Sequence, residues 1–118
     1  MAETQRQVLL LDIVDDADAI ARYEAWHAAS ALPPAIGRSI RDAGIVAMEI
    51  FRAGNRLVMV METAPEFDAV AKAAADAADP DVKAWEALMA GVQRPIPVAA
   101  PGEKWVTAKR IFSLAEQP

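Results

Sequence analysis

Ile45-Val46-Ala47-Met48-Glu49-Ile50-Phe51-Arg52 and Leu57-Val58-Met59-Val60-Met61-Glu62, joined by Ala53-Gly54-Asn55-Arg56, decide the fold. Each run is short, apolar and rich in β-forming side chains, and a Gly-Asn pair lies between them. That pattern specifies a β-hairpin. Alternation in the first run puts Val46, Met48 and Ile50 on one face, and Ile45, Ala47, Glu49 and Phe51 on the other. The first face is wholly apolar and is expected to pack on helices. The second carries a carboxylate among apolar neighbours and is expected to line a cavity.

Upstream of the hairpin, Pro33-Pro34 breaks the chain and fits the first turn of a helix over Ala35 to Asp42, with Ile36 and Ile40 inward and Ala43-Gly44 as its stop. An earlier helix is expected from about Asp16 to Ser30. Asp15, Asp16 and Asp18 supply its cap and first-turn acids, and Ile20, Tyr23, Trp26 and His27 recur at helical spacing. Gln7 to Val14 reads as a strand covered on both faces. Downstream, Ala64 to Ala78 is an alanine-rich helix with Phe67, Val70 and Ala74 as its core stripe. Asp79-Pro80 interrupts it. A second piece follows from Asp81 to about Val92, with Val82, Trp85, Leu88 and Met89 on one face. Pro95-Ile96-Pro97 and Ala100-Pro101-Gly102 mark an irregular connection, and Lys104 to Leu114 reads as the last strand. The order is strand, broken helix, strand, strand, broken helix, strand. That is the split βαββαβ pattern of ferredoxin-like α+β domains, with helices on one face of an antiparallel sheet. The other face is left apolar. A second copy is the simplest cover, giving a homodimer with a barrel-like interior, and the last strand and tail are candidates for exchange between subunits.

The chain has 118 residues, the size of a single domain over 1–118, and a net charge of −5. An acidic chain without a basic footprint disfavours nucleic acid and anionic membrane surfaces as partners. No apolar run is long enough to span a bilayer. Met1-Ala2-Glu3-Thr4-Gln5-Arg6 lacks the basic and apolar regions of a signal peptide, which points to the cytoplasm. With one histidine and no cysteine, only an all-oxygen metal site could form. Asp15, Asp16 and Asp18 lack the glycine-centred loop of a calcium site, so no metal is expected.

Ala21-Arg22-Tyr23-Glu24-Ala25-Trp26-His27-Ala28 holds the only histidine and the only tyrosine. They are four residues apart, so on a helix they share a face. Histidine is the side chain best suited to moving protons near neutrality. A lone histidine is more often structural, so His27 gains weight only if the rest of the chain builds a pocket for it.

Four stretches, in order, resemble the L-rhamnose and L-fucose mutarotases. Tyr23-x-x-x-His27 is similar to the family's Tyr-x-x-x-His on the first helix. Gly44-Ile45 leads into Met48-Glu49-Ile50-Phe51-Arg52 and then Leu57 to Glu62. Asp79-Pro80-Asp81-Val82-Lys83-Ala84-Trp85 resembles the family's Asp-Pro-x-Val-x-x-Trp helix. Gly102-Glu103-Lys104-Trp105-Val106 and Arg110-Ile111-Phe112-Ser113-Leu114 close the chain. The resemblance implies a ferredoxin-like dimeric α+β barrel that interconverts the α and β anomers of a free 6-deoxy-L-sugar, a monosaccharide substrate, without a cofactor. Trp85-Glu86 stands where rhamnose-type members carry Trp-Trp, and Met48 where they tend to carry tyrosine, so the resemblance favours L-fucose. Pro33-Pro34-Ala35 stands where the family commonly has Trp-Pro-Glu, which puts an aromatic wall and a carboxylate in doubt.

Opening a hemiacetal ring requires a proton delivered to the ring oxygen and one removed from the anomeric hydroxyl. With the resemblance in view, His27 is the expected main proton donor and acceptor. Tyr23 hydrogen-bonds the sugar, takes part in the relay, or is a core aromatic. Glu49 is the complementary base, an acceptor for a sugar hydroxyl, or a salt-bridge partner of Arg110. Trp85 is the expected stacking face for the sugar, and Trp26, Trp105 and Arg110 are further substrate-binding candidates. Two other functions stay open: a cofactor-free monooxygenase on the same dimeric barrel, and a noncatalytic sugar-binding dimer.

Overall fold

A computed structural model describes residues 3–118; Met1 and Ala2, which open the stretch read for a leader, lie outside the described residues. The elements are β1 (Gln5–Ile13), α1 (Ala17–Trp26), α2 (Pro34–Asp42), β2 (Ile45–Ala53), β3 (Arg56–Thr63), α3 (Ala69–Ala78), α4 (Pro80–Ala90), β4 (Gln93–Arg94) and β5 (Val106–Thr107), then a 3-10 turn at Leu114–Glu116. The sheet is antiparallel in the order β2-β3-β1-β4, with β5 also on the free edge of β1. This is the ferredoxin-like order, with its fourth position shared by two short segments.

Local chemistry explains the boundaries. Asp16 caps α1 by accepting from the Ala19 amide at 3.0 Å. Asp68 caps α3 and Asp79 caps α4, each accepting two backbone amides of the first turn. Pro34 and Pro80 sit in the first turns of α2 and α4, where a missing N–H costs nothing. Gly44 ends α2 at φ +93 and Gly54 takes φ +60 in the hairpin turn, a conformation that glycine adopts without strain.

The register assigns the sheet faces. Ile50 faces Met59, and Met59 faces Leu9. With Met48, Leu57, Leu11 and Ile13 these side chains point to the helices. Leu11, Ile13 and Leu57 are fully buried, worth about 1.5–3 kcal/mol each. Ile13 and Leu57 pack with Ala19, Tyr23, Met89 and Val92 in the central cluster. Arg52 Nε donates to Glu24 Oε2 at 2.7 Å and ties β2 to α1. On the opposite face Phe51, Val58, Leu10 and Val106 form one cross-strand row, and Glu49, Val60 and Val8 the next.

Four expectations change. The first helix stops at Trp26 rather than Ser30, because the chain turns after His27 to reach Pro33. A bulge between Ile45 and Ala47 shifts the alternation, so Ile45 is buried although it was grouped with Glu49. The alanine-rich α3 has no buried residue, and Val70 is 79% exposed. Its short side chains cannot reach the core, and it packs outside α4. The long last strand shrinks to Val106–Thr107, followed by one more bond from the Ala108 amide to the Val8 carbonyl. Continuing that register would set Lys109 beside Gln7 and Arg110 opposite Arg6, and like charges facing each other oppose pairing. The tail therefore leaves the sheet with Ile111 and Leu114 90% and 76% exposed.

Candidate functional site

Between the sheet and the helices lies a cavity of about 430 Å³, within the size range of small-molecule sites. Met48, Ile50 and Met59 form its floor. Its walls include Tyr23 and His27 from α1 and its cap, Ser39 and Ile40 from α2, Lys72 and Asp76 from α3, and Trp85, Glu86 and Met89 from α4. Gln93, Lys104 and Trp105 line it from the far edge of the sheet.

His27 is the C-cap of α1, and its position there fixes its ring. Nδ1 lies 2.7 Å from the Tyr23 backbone carbonyl. A carbonyl only accepts, so Nδ1 carries the hydrogen, and Nε2 is the free basic nitrogen of the neutral ring. The imidazole stacks on the Tyr23 ring at 4.3 Å between centroids, tilted 26°. Trp85 meets it edge-on at 5.4 Å and 69°. Two aromatic rings thus hold the proton-carrying imidazole.

Tyr23 is 4% exposed. Burial pushes its hydroxyl above the ordinary phenol range, and the Gln93 hydrogen bond opposes this in part. Gln93 Nε2 donates to Tyr23 Oη at 3.4 Å. The hydroxyl is therefore protonated at neutral pH and is a donor, not a base.

Of the seven residues singled out from the sequence, the cavity gathers Tyr23, His27, Trp85 and Trp105. Three lie elsewhere. Glu49 is exposed on the helix-free face, because the face beneath the helices is the one bearing Met48 and Ile50. Arg110 is exposed and pairs with Glu116 at 2.8 Å, not with Glu49. Trp26 is half-buried and packs against the central cluster, outside the cavity lining. Sequence reasoning missed Gln93, Lys72, Asp76 and Ser39. Gln93 carried no signal, since it follows a helix end with no periodic pattern around it. Lys72 and Asp76 did carry one, an i,i+4 pair of opposite charge on an otherwise alanine helix.

Among the described residues no three His, Cys, Asp or Glu side chains converge as a metal centre requires, and no helix is long and apolar enough to cross a membrane. Comparison with known proteins places this geometry. The L-rhamnose mutarotase family profile matches residues 6–114. The chain belongs to the L-rhamnose mutarotase family. A relative from Xanthomonas campestris pv. campestris described as an L-fucose mutarotase is 52% identical over 112 residues, which cover 95% of this chain and 90% of that protein. The crystal structure of an L-rhamnose mutarotase from Formosa agariphila superposes with a TM-score of 0.66 at 17% identity, over 93% of this chain and 98% of that one. At that identity the mutarotase structure speaks for the ferredoxin-like fold alone. The identity to the Xanthomonas protein is what ties this family member to sugar chemistry.

Proposed function

We infer that this chain is a mutarotase for a free 6-deoxy-L-hexose, with L-fucose favoured over L-rhamnose. The observation that carries it is the His27 ring, oriented by a backbone carbonyl and enclosed by Tyr23 and Trp85 in a cavity of sugar size. Similarity to an L-fucose mutarotase over nearly the whole chain supports the choice of sugar.

The chemistry follows from the protonation states. His27 Nε2 takes the proton of the anomeric hydroxyl as the bond from C1 to the ring oxygen breaks. The ring oxygen takes its proton from the Tyr23 hydroxyl and the open-chain aldehyde forms. Rotation about the C1–C2 bond presents the other carbonyl face. The C5 hydroxyl then closes on C1, giving its proton back to the Tyr23 oxygen, and the imidazolium returns its proton to the new anomeric oxygen. The Tyr23 hydroxyl, held protonated by burial, donates to the ring oxygen while negative charge develops there. Each positioned acid or base contributes roughly a hundred- to ten-thousand-fold. Trp85 offers an aromatic face to the C–H side of the sugar, and Trp105 a second apolar wall.

A second copy covers the open sheet face. The support is the row Phe51–Val58–Leu10–Val106, with Phe51 54% and Phe112 64% exposed. Exposed apolar surface of this kind marks association sites. Exchange NMR on L-fucose tests the enzyme reading: cross-peaks between anomers should build up faster with protein present. No acceleration for L-fucose or L-rhamnose would sink it.

A further inference from the structure

Ser39, Lys72 and Asp76 form a polar cluster on the wall of the His27 cavity that the proton chemistry does not use. Lys72 Nζ donates to both Asp76 oxygens, at 3.0 and 2.8 Å, and Ser39 Oγ donates to Asp76 Oδ1 at 3.0 Å. An i,i+4 ion pair on an open helix surface contributes little. This one is different in setting. Its side chains are only 21% and 16% exposed, on a helix with no buried residue, and a hydroxyl from α2 reaches across to it. The same three residues also line the cleft on the outer side of α2 and α3, so they stand at the seam between that cleft and the cavity.

We propose that Ser39, Lys72 and Asp76 bind two adjacent hydroxyl groups of the sugar, those on C3 and C4, an assignment that rests on the mutarotase reading. A sugar hydroxyl both donates and accepts, whereas an ammonium only donates and a carboxylate only accepts. Lys72 has three N–H groups; two are engaged by Asp76, which leaves one for a sugar oxygen. A carboxylate offers about four acceptor positions. Three are taken, leaving one for a sugar O–H. The free donor and free acceptor belong to groups 2.8 Å apart, so two neighbouring hydroxyls of a pyranose can meet both. C1 and the ring oxygen must lie at His27 for the reaction. The hydroxyls farthest round the ring from that edge are on C3 and C4, so a polar cluster elsewhere on the same wall meets those two. Its hydrogen bonds are charge-assisted and therefore stronger than neutral ones.

The test compares L-fucose with its C4 epimer, 6-deoxy-L-glucose, by exchange NMR for rate and by NMR titration for binding. Wild type, Lys72→Met and Asp76→Asn are measured together. The wild type should bind L-fucose more tightly than the epimer. Each variant should raise Kd and KM for L-fucose roughly ten- to a hundredfold. At the same time kcat should fall by less than about threefold, and the preference between the two sugars should shrink. Asp76→Asn keeps the side-chain shape, so it decides the matter if Lys72→Met does not fold. Unchanged KM with an unchanged preference overturns the proposal, and so does a loss confined to kcat. A wild type that binds L-fucose without accelerating exchange overturns the mutarotase reading, and the binding arm then judges the hydroxyl site. A wild type that binds neither sugar overturns both.

Discussion

On one face of the sheet Met48, Ile50, Leu57 and Met59 lie under helices; on the other Phe51, Val58, Leu10 and Val106 form a row with no helix above it. Both faces carry apolar rows. They differ in where their polar groups come from. Beneath the cavity the helix-covered face is hydrocarbon, from Met48, Ile50 and Met59, and its chemistry is lowered onto it by Tyr23, His27, Ser39, Lys72, Asp76 and Glu86 from the helices. The open face carries its polar groups on the strands themselves, at Glu49 and Glu62. The strand carboxylates thus lie on the open face, and the proton-carrying ring on a helix end belongs to the closed one.

The sharpest way to break this contrast is at His27. His27→Ala should cost roughly a hundred- to ten-thousand-fold in kcat for L-fucose, with the thermal melt retained because the ring is only half-buried. Full activity in exchange NMR would refute the role given to it. Next is Leu57, 1% exposed at the centre of the closed face. Leu57→Ala should lower stability by about 2–5 kcal/mol in urea titrations. On the open face Phe51→Lys should leave the monomer fold intact but weaken self-association about tenfold or more by sedimentation. A wild type that sediments only as a monomer would refute the barrel dimer.

Tyr23 sharpens the comparison by pH. Its pKa is raised in the folded chain, mainly by burial. The unfolded chain therefore loses this proton first, near the ordinary value of about 10. Stability linked to Tyr23 is complete below that pH and declines as pH rises above it. Since it is the only tyrosine, tyrosinate absorbance reports it alone. The folded protein should titrate above the ordinary midpoint, and Tyr23→Phe should remove that part of the alkaline destabilisation. A midpoint at or below the ordinary value would contradict a buried hydroxyl.

Much of this architecture was legible because it is written in local chemistry. The Gly54-Asn55 turn, the Asp16 cap, the break at Asp79-Pro80 and the proline-led α2 are all short-range signals, and together they dictate the βαββαβ order. The pairing of Tyr23 with His27 was legible for the same reason, as a spacing of four residues on one helix end. What was not legible depends on partners far away in sequence. Alternation in β2 divides the residues into two faces but does not say which one the helices cover. The bulge at Ile45–Ala47 sits where Ile45 pairs with Thr63 and the Ala64 amide donates to the Gly44 carbonyl, contacts between residues far apart in the chain. The final strand had the right composition, yet its continuation depends on Arg6 standing across from Arg110. Gln93 matters only because Tyr23, seventy residues earlier, ends beside it.

Glu49 is where the smallest effect is expected and where the contrast between faces is most exposed to refutation. Its backbone sits opposite Val60, its side chain is exposed, and it has no place on the cavity wall. Among the described residues no cation pairs with it. Glu49→Gln keeps the side-chain shape and removes only the charge. It should therefore change kcat and KM for L-fucose by less than about twofold and stability by no more than about 0.5 kcal/mol. A tenfold or greater loss of kcat, in a variant that sediments as the wild type does, would mean that the open face takes part in the reaction. The division between a chemical face and an association face would then fail. A loss of activity that tracks a shift towards monomer would say something else: that the closed cavity depends on the copy packed behind the sheet, through the strands the two faces share.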